Sequence, residues 1–383
     1  MNLPDVLGAK GFRPFFLLAG LHAAVMAPLW LLVLDGTVVL RGPLQGVTWH
    51  AHEMLFGFTM AVIAGFLLTA AENWTGLPTI RGVPLLALAG TWLAGRIALV
   101  AVPGPVGAVL DLAVVPVLVL GLGRPLVAAK SHRNLQFPVM LTALWLANLA
   151  VHLDAAGYLA GMAANAHRVA VYVIAVIMLV MAGRIVPMFT RNATGRMDIS
   201  GSPRLDRIAI GATAGVALLH AVQVPLLLPW VAGVAGVATV ARMRGWASAA
   251  TLGDPLLWVL HLGHFAIGLG LLLLAAQPLV GVPVGASIHA VTVGGIGLLT
   301  IGMMARVSLG HSGRPLRVGV AMRVAFGSVA LALCLRVLGP WLDAPRTMLW
   351  LWASAAAWSL GFVVFSVSYL PILTTPRADG KPG

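Results

Sequence analysis

Eleven histidines and eleven acidic side chains are the residues of this 383-residue chain with most chemistry to offer. Neutral imidazole is the common ligand of haem iron, copper and zinc, and it titrates near neutrality. The densest local group is Trp49-His50-Ala51-His52-Glu53. On a helix, residues two apart point about 200° apart. His50 and His52 then face two neighbouring centres, or one coordinates while the other hydrogen-bonds. In an extended segment both would point the same way. Glu53, three residues after His50, shares its helical face and is placed to orient it or carry protons; capping or interface contact is an equal alternative. His261 and His264 are one turn apart and share a face. They suit one metal, or one ligand and its support. The single Cys334 excludes an internal disulfide and a thiolate metal cluster, and its apolar surroundings point to packing. No phosphate-cradling Walker loop and no Gly-x-Ser-x-Gly elbow is present, so ATP-driven transport and serine hydrolysis gain no support.

These side chains must be carried by membrane helices. Hydrophobic residues make up 60% of the chain and charged residues 9%, against roughly a quarter charged in soluble domains. The net charge of +13 does not indicate a nucleic-acid partner, because the arginines stand singly between apolar runs rather than in one patch. A span needs about 20 mostly apolar residues. The pattern predicts an all-α bundle of about twelve transmembrane helices in one polytopic domain, residues 1–383. The spans fall near 15–34, 53–71, 83–101, 106–128, 138–157, 166–188, 207–225, 228–244, 255–276, 285–305, 319–338 and 347–369. The seventh and eighth are the weakest, joined by the tight Pro225-Leu-Leu-Leu-Pro229 link. Phe15 to Leu34 has the length of a span rather than of a signal core. With both termini in the cytoplasm, every Lys and Arg except Arg41, Arg96, Arg168, Arg336 and Arg346 falls on the cytoplasmic side. That asymmetry is the positive-inside rule.

Orientation then assigns depth. His50, His52, His152, His167, His220 and His289 fall in the outer third of the bilayer or at its boundary. His22 is nearer the middle, His261 and His264 lie in the inner half of the ninth span, and His132 and His311 sit in cytoplasmic loops. Buried imidazole is costly in a bundle unless paired, hydrogen-bonded or coordinated. Six at one level from five helices suggest a metal or haem layer; satisfied interhelical histidines are the plainer explanation for any one of them. Asp111 and Asp154 near that level join Glu53 as proton-path candidates. Arg96 and Arg336 suit haem propionates, or snorkel to the interface. Gly294, Gly295, Gly297 and Gly302 behind His289 would admit a flat macrocycle or close helix packing.

Several stretches resemble the NnrS family. They are Gly11-Phe-Arg-Pro-Phe-Phe16, Trp49-His-Ala-His-Glu-Met-Leu-Phe-Gly57, Ala64-Gly-Phe-Leu-Leu-Thr-Ala70 and Asn73-Trp-Thr-Gly76. Gly183-Arg-Ile-Val-Pro-Met-Phe-Thr-Arg-Asn192, His289-Ala-Val-Thr-Val-Gly294 and Met304-Ala-Arg-Val-Ser-Leu-Gly-His-Ser-Gly-Arg-Pro315 follow in order. The resemblance implies a twelve-helix bacterial inner-membrane protein that contains haem and copper and acts in the response to nitric oxide. His50, His52, His152, His261 and His289 lie in stretches that look like family motifs; His167, His220 and His264 do not. His311 does, as a structural residue or at a haem edge.

The expected function is therefore a haem–copper protein that binds nitric oxide and so limits nitrosative stress. Turnover would make it an oxidoreductase and would need protons and an electron donor that the sequence does not identify. Two rivals stand beside it. One is a twelve-helix transporter of a metal or small solute, a plan that usually shows twin halves; no internal repeat is evident here. The other is a non-catalytic haem-based nitric oxide sensor or assembly factor, which needs the same ligands.

Overall fold

A computed structural model describes residues 2–381. Among them every regular element is helical, and each expected span has a helix. We number these α1 Phe12–Leu34, α2 Gly46–Thr75, α3 Gly82–Ala101, α4 Val106–Ala128, α5 Gln136–Ala155 and α6 Ala163–Thr194. They continue with α7 Pro203–Ala221, α8 Leu228–Ala241, α9 Pro255–Val280, α10 Val284–His311, α11 Val320–Leu342 and α12 Thr347–Thr374. Eleven, α8 with its flanking turns among them, are long and apolar enough to cross a membrane. The twelfth, α7, is 19 residues long, and Arg204, Asp206 and Arg207 crowd its first turns. Its charges set it apart, not its length.

Several ends differ from the sequence expectation. α6 runs on to Thr194 and α10 to His311, so His311 closes a helix instead of sitting in a loop. Cys334 is exposed on α11, so it does not serve as core packing. Cys334 misleads for a general reason: a uniformly apolar run does not show which of its faces is buried.

The chain forms two compact units. One holds the residues up to Ala170, Met304–Leu316 and the chain from Phe365 onward; the other holds Val171–Met303 and Arg317–Val364. In the first, α1 packs on α2, α3 on α4, and α4 on both α2 and α5. Phe12, Phe15, Phe16, Trp49, Phe58 and Trp92 fill its core. Arg13 is buried there, and its Nη1 donates to the carbonyls of Leu373 (3.0 Å) and Thr375 (2.8 Å). The last carbonyls of a helix have no partner within it, so this arginine caps α12. Glu72 near the end of α2 takes a two-pronged bond from Arg81, 2.6 Å at each oxygen, which raises the arginine pKa above its ordinary value. In the second unit, α8 packs between α7 and α9, and α10 lies against α9 and α11.

Two helices widen to π geometry, α2 over Glu53–Thr59 and α10 over Ala290–Gly297. Such insertions shift the phase of a helix face and recur at functional sites. In α2 the widened turns begin directly after His52, and every residue in them except Met54 is buried. The Gly57 carbonyl accepts the Trp92 indole N–H at 3.3 Å.

Candidate metal centre

Four helices of the first unit bring polar side chains to one buried point. Asp111 of α4 is its hub. Its Oδ2 accepts from His52 Nε2 of α2 (3.1 Å), His152 Nε2 of α5 (2.9 Å) and Asn148 Nδ2 of α5 (2.6 Å). Its Oδ1 pairs with Arg96 of α3. Arg96 Nη1 also donates to Glu53 Oε1 at 3.2 Å, and Glu53 Oε2 lies 3.2 Å from His22 Nε2 of α1. His52 and Glu53 are no more than 1% exposed, and Asp111 and Arg96 are 3% exposed.

Separated buried ions in a bundle are expensive. Here every carboxylate is paired with a guanidinium or imidazole. A carboxylate only accepts, so the Nε2 atoms of His52 and His152 both carry hydrogen in this network. His152 Nδ1 is left buried without a partner among the described residues. His167 of α6 lies against Phe56 (ring centres 6.3 Å apart), which also touches His52 (5.2 Å). Its Nε2 is likewise buried and unpartnered.

The donor set tests well against a metal ion. One nitrogen each from His52 and His152 and one oxygen of Asp111 all lie within 4.8 Å of one another. Two imidazoles and a carboxylate suit copper, zinc or iron rather than magnesium or calcium. His167 adds a further imidazole beside the group. Arg96 holds the distal carboxylate oxygen, as supporting groups around metal ligands do.

The structure separates residues that the sequence grouped. His50 and His52 point apart, as a helix requires: His52 enters the cluster, while His50 stacks on Trp30 with ring centres 4.8 Å apart. Glu53 makes its ion pairs with His22, His52 and Arg96, not across one turn with His50. Asp154 does not join Asp111. Its oxygens accept from the backbone N–H of Gly161 (3.1 Å) and Ala163 (2.5 Å), which ties the intervening loop to the start of α6.

The remaining candidates belong to the second unit. Both nitrogens of His261 meet hydroxyls, Thr190 Oγ1 at 3.0 Å and Ser248 Oγ at 2.8 Å. His264 donates Nε2–H to the Thr239 carbonyl at 3.2 Å and packs on Trp246. His220 stacks on Tyr172 (5.5 Å). His289 donates Nδ1–H to the Gly285 carbonyl at 2.6 Å, which assigns the lone pair to Nε2. A Cβ at Gly285 would lie 3.9 Å from His289 Nδ1 and 4.0 Å from Arg336 Nη1, so imidazole and guanidinium border one spot. The glycines behind His289 do not offer a flat face. A Cβ at Gly294 would strike Ala266 and Leu333, at Gly295 Ile267, at Gly297 Trp358, and at Gly302 Val259 and Leu260, all within 3 Å. Close packing explains them.

Asn148 and His22 escaped the sequence reading of the site. The signal for Asn148 was present: an amide in an apolar helix, one turn before His152 and therefore on its face. His22 carried half of that signal, an imidazole in an apolar helix, but has no polar neighbour at helical spacing.

The model of the family described as NnrS protein matches residues 6–377, nearly the whole chain. No curated protein matches.

Proposed function

Because the chain belongs to the NnrS family, a membership that fits a multi-pass membrane protein of the nitric oxide response, we propose that it binds nitric oxide at a haem–copper centre and thereby limits nitrosative stress. One observation supports this reading most: His52 and His152, from different helices, both turn to Asp111 inside an apolar bundle. In this reading His52, Asp111 and His152 hold copper, with His167 beside them. His289, held at Nδ1 by the Gly285 carbonyl, is the haem ligand, and Arg336 is the group placed for a propionate. A metal centre supplies a Lewis-acidic, redox-active point at which a small apolar gas can be held.

The residues of the chain do the rest. Arg96 and Asn148 hold Asp111 at both oxygens, and Glu53 balances Arg96. The close contacts that run from His22 to Glu53 (3.2 Å) and from Glu53 to His52 (3.6 Å) are the proton route we favour for any turnover. The aromatic rings against it, Trp92 on His22 and Phe56 on His52, exclude water while admitting nitric oxide. Both termini lie in the cytoplasm and the membrane is the bacterial inner one, the orientation that the Lys and Arg distribution favours.

Haem and copper analysis of the purified protein tests this. The wild type is expected to carry both. His52→Ala and His152→Ala should lose copper and keep haem, and His289→Ala should lose haem and keep copper. Wild-type protein with neither would sink the proposal. Anaerobic nitric oxide consumption with a supplied electron donor would add turnover to binding.

A further inference from the structure

Asn148 lies at the centre of the cluster without being one of its metal-ligand candidates. It is 1% exposed. Its Nδ2 donates to Asp111 Oδ2 at 2.6 Å, and its Oδ1 accepts from His52 Nε2 at 2.9 Å. The amide has only one sensible orientation. Turned over, its oxygen would face a carboxylate oxygen at that short distance and its N–H₂ would face the Nε2–H of His52.

Asp111 Oδ2 thus accepts three hydrogen bonds, two from imidazoles and one from the amide. A metal ion held by His52, His152 and Asp111 takes the place of the two imidazole hydrogens. The Asn148 N–H is the donor that remains on Oδ2, and Arg96 remains on Oδ1. Each carboxylate oxygen is then tethered by a group from a different helix, Arg96 on α3 and Asn148 on α5. A carboxylate held this way cannot pivot to offer both oxygens to one ion.

We propose that Asn148 is a positioning residue that makes Asp111 a one-oxygen ligand and so limits the coordination number of the centre. The proposal rests on the metal-centre reading above. It concerns how Asp111 is held, not which ion is native, so a spectroscopic probe ion serves the test.

Co(II) added to the metal-free purified protein reports coordination directly. Its visible d–d bands are intense with four ligands and weak with more. Wild type should bind one Co(II) with intense bands. Asn148→Leu should bind it about 10–100-fold more weakly, the range seen when a group supporting a metal ligand is removed, and with weaker bands as Asp111 turns both oxygens to the ion. Asn148→Asp keeps the shape but loses the donor, so it should also bind more weakly. It keeps the test decisive should the leucine variant fail to fold.

Wild-type affinity and bands in Asn148→Leu would overturn the positioning role. Tighter binding by Asn148→Asp would overturn it too, since position 148 would then act as a ligand. Wild type that takes up no Co(II) would instead overturn the metal-centre reading on which the proposal stands.

Discussion

In the unit that begins the chain, His52 and His152 approach the same oxygen of Asp111 from different helices. In the other unit, His261 is held between two hydroxyls, His264 bonds a backbone carbonyl, and His220 lies on a tyrosine ring. Both environments are buried and apolar, and both contain imidazole pairs at suggestive spacing. What separates them is a carboxylate. Hydroxyls and carbonyls satisfy imidazoles one at a time; a carboxylate oxygen accepts several donors and draws them to one point. Histidine number and depth therefore say less about metal than whether two imidazoles share an acid.

The strongest way to break this comparison is to remove the shared acid. Asp111→Leu should abolish copper binding and destabilise the protein by about 3–5 kcal/mol, because Arg96 keeps only one of its two carboxylates, Glu53. Metal content and thermal unfolding in detergent measure the two effects. Arg96→Met should cost a similar stability while leaving the three metal-ligand candidates in place. In Arg96→Met with Asp111→Leu the losses should not add, since the two residues share one network. Additive losses would mean that Arg96 and Asp111 are held independently.

The second unit sharpens the contrast from the other side. His261→Leu leaves the Thr190 and Ser248 hydroxyls without their imidazole, which should cost about 1–3 kcal/mol. Copper and haem content should stay at wild-type levels. Loss of either cofactor from a folded His261→Leu protein would return His261 to the ligand set and dissolve the distinction between the units.

The sequence reading succeeded where a property is local and failed where it depends on neighbours. α4 lies at 106–128 as the apolar run predicts, because span length follows bilayer thickness. The divergence of His50 and His52 also followed from helical geometry alone. The convergence on Asp111 did not, because α2, α4 and α5 are joined by no periodicity that a single chain displays. The π turns that begin at Glu53 shift the phase of the residues after it, which a regular helical period does not anticipate, and Glu53 itself turns to His22 and Arg96 instead of supporting His50. The glycines of α10 left two readings open in the sequence. Space for a macrocycle and space for a neighbouring helix require the same missing Cβ, and only the neighbours Leu333, Ile267 and Trp358 decide between them.

Asp154 gives the smallest effect and the finest test. Two residues after His152, it reads from the sequence as a proton-path candidate. In the structure its oxygens take the N–H groups of Gly161 and Ala163, where a helix start otherwise lacks partners. Asp154→Ala should therefore cost about 1 kcal/mol, the usual loss for a removed cap. Asp154→Asn should cost less, because the amide oxygen still accepts. Neither should change copper content. Nitric oxide consumption separates the two roles, since an amide caps a helix nearly as well as a carboxylate but cannot relay a proton. A folded, copper-loaded Asp154→Asn protein that consumes nitric oxide more slowly than wild type would place this acid on the proton route after all. Equal rates in wild type and Asp154→Asn would leave Asp154 as a cap for the start of α6.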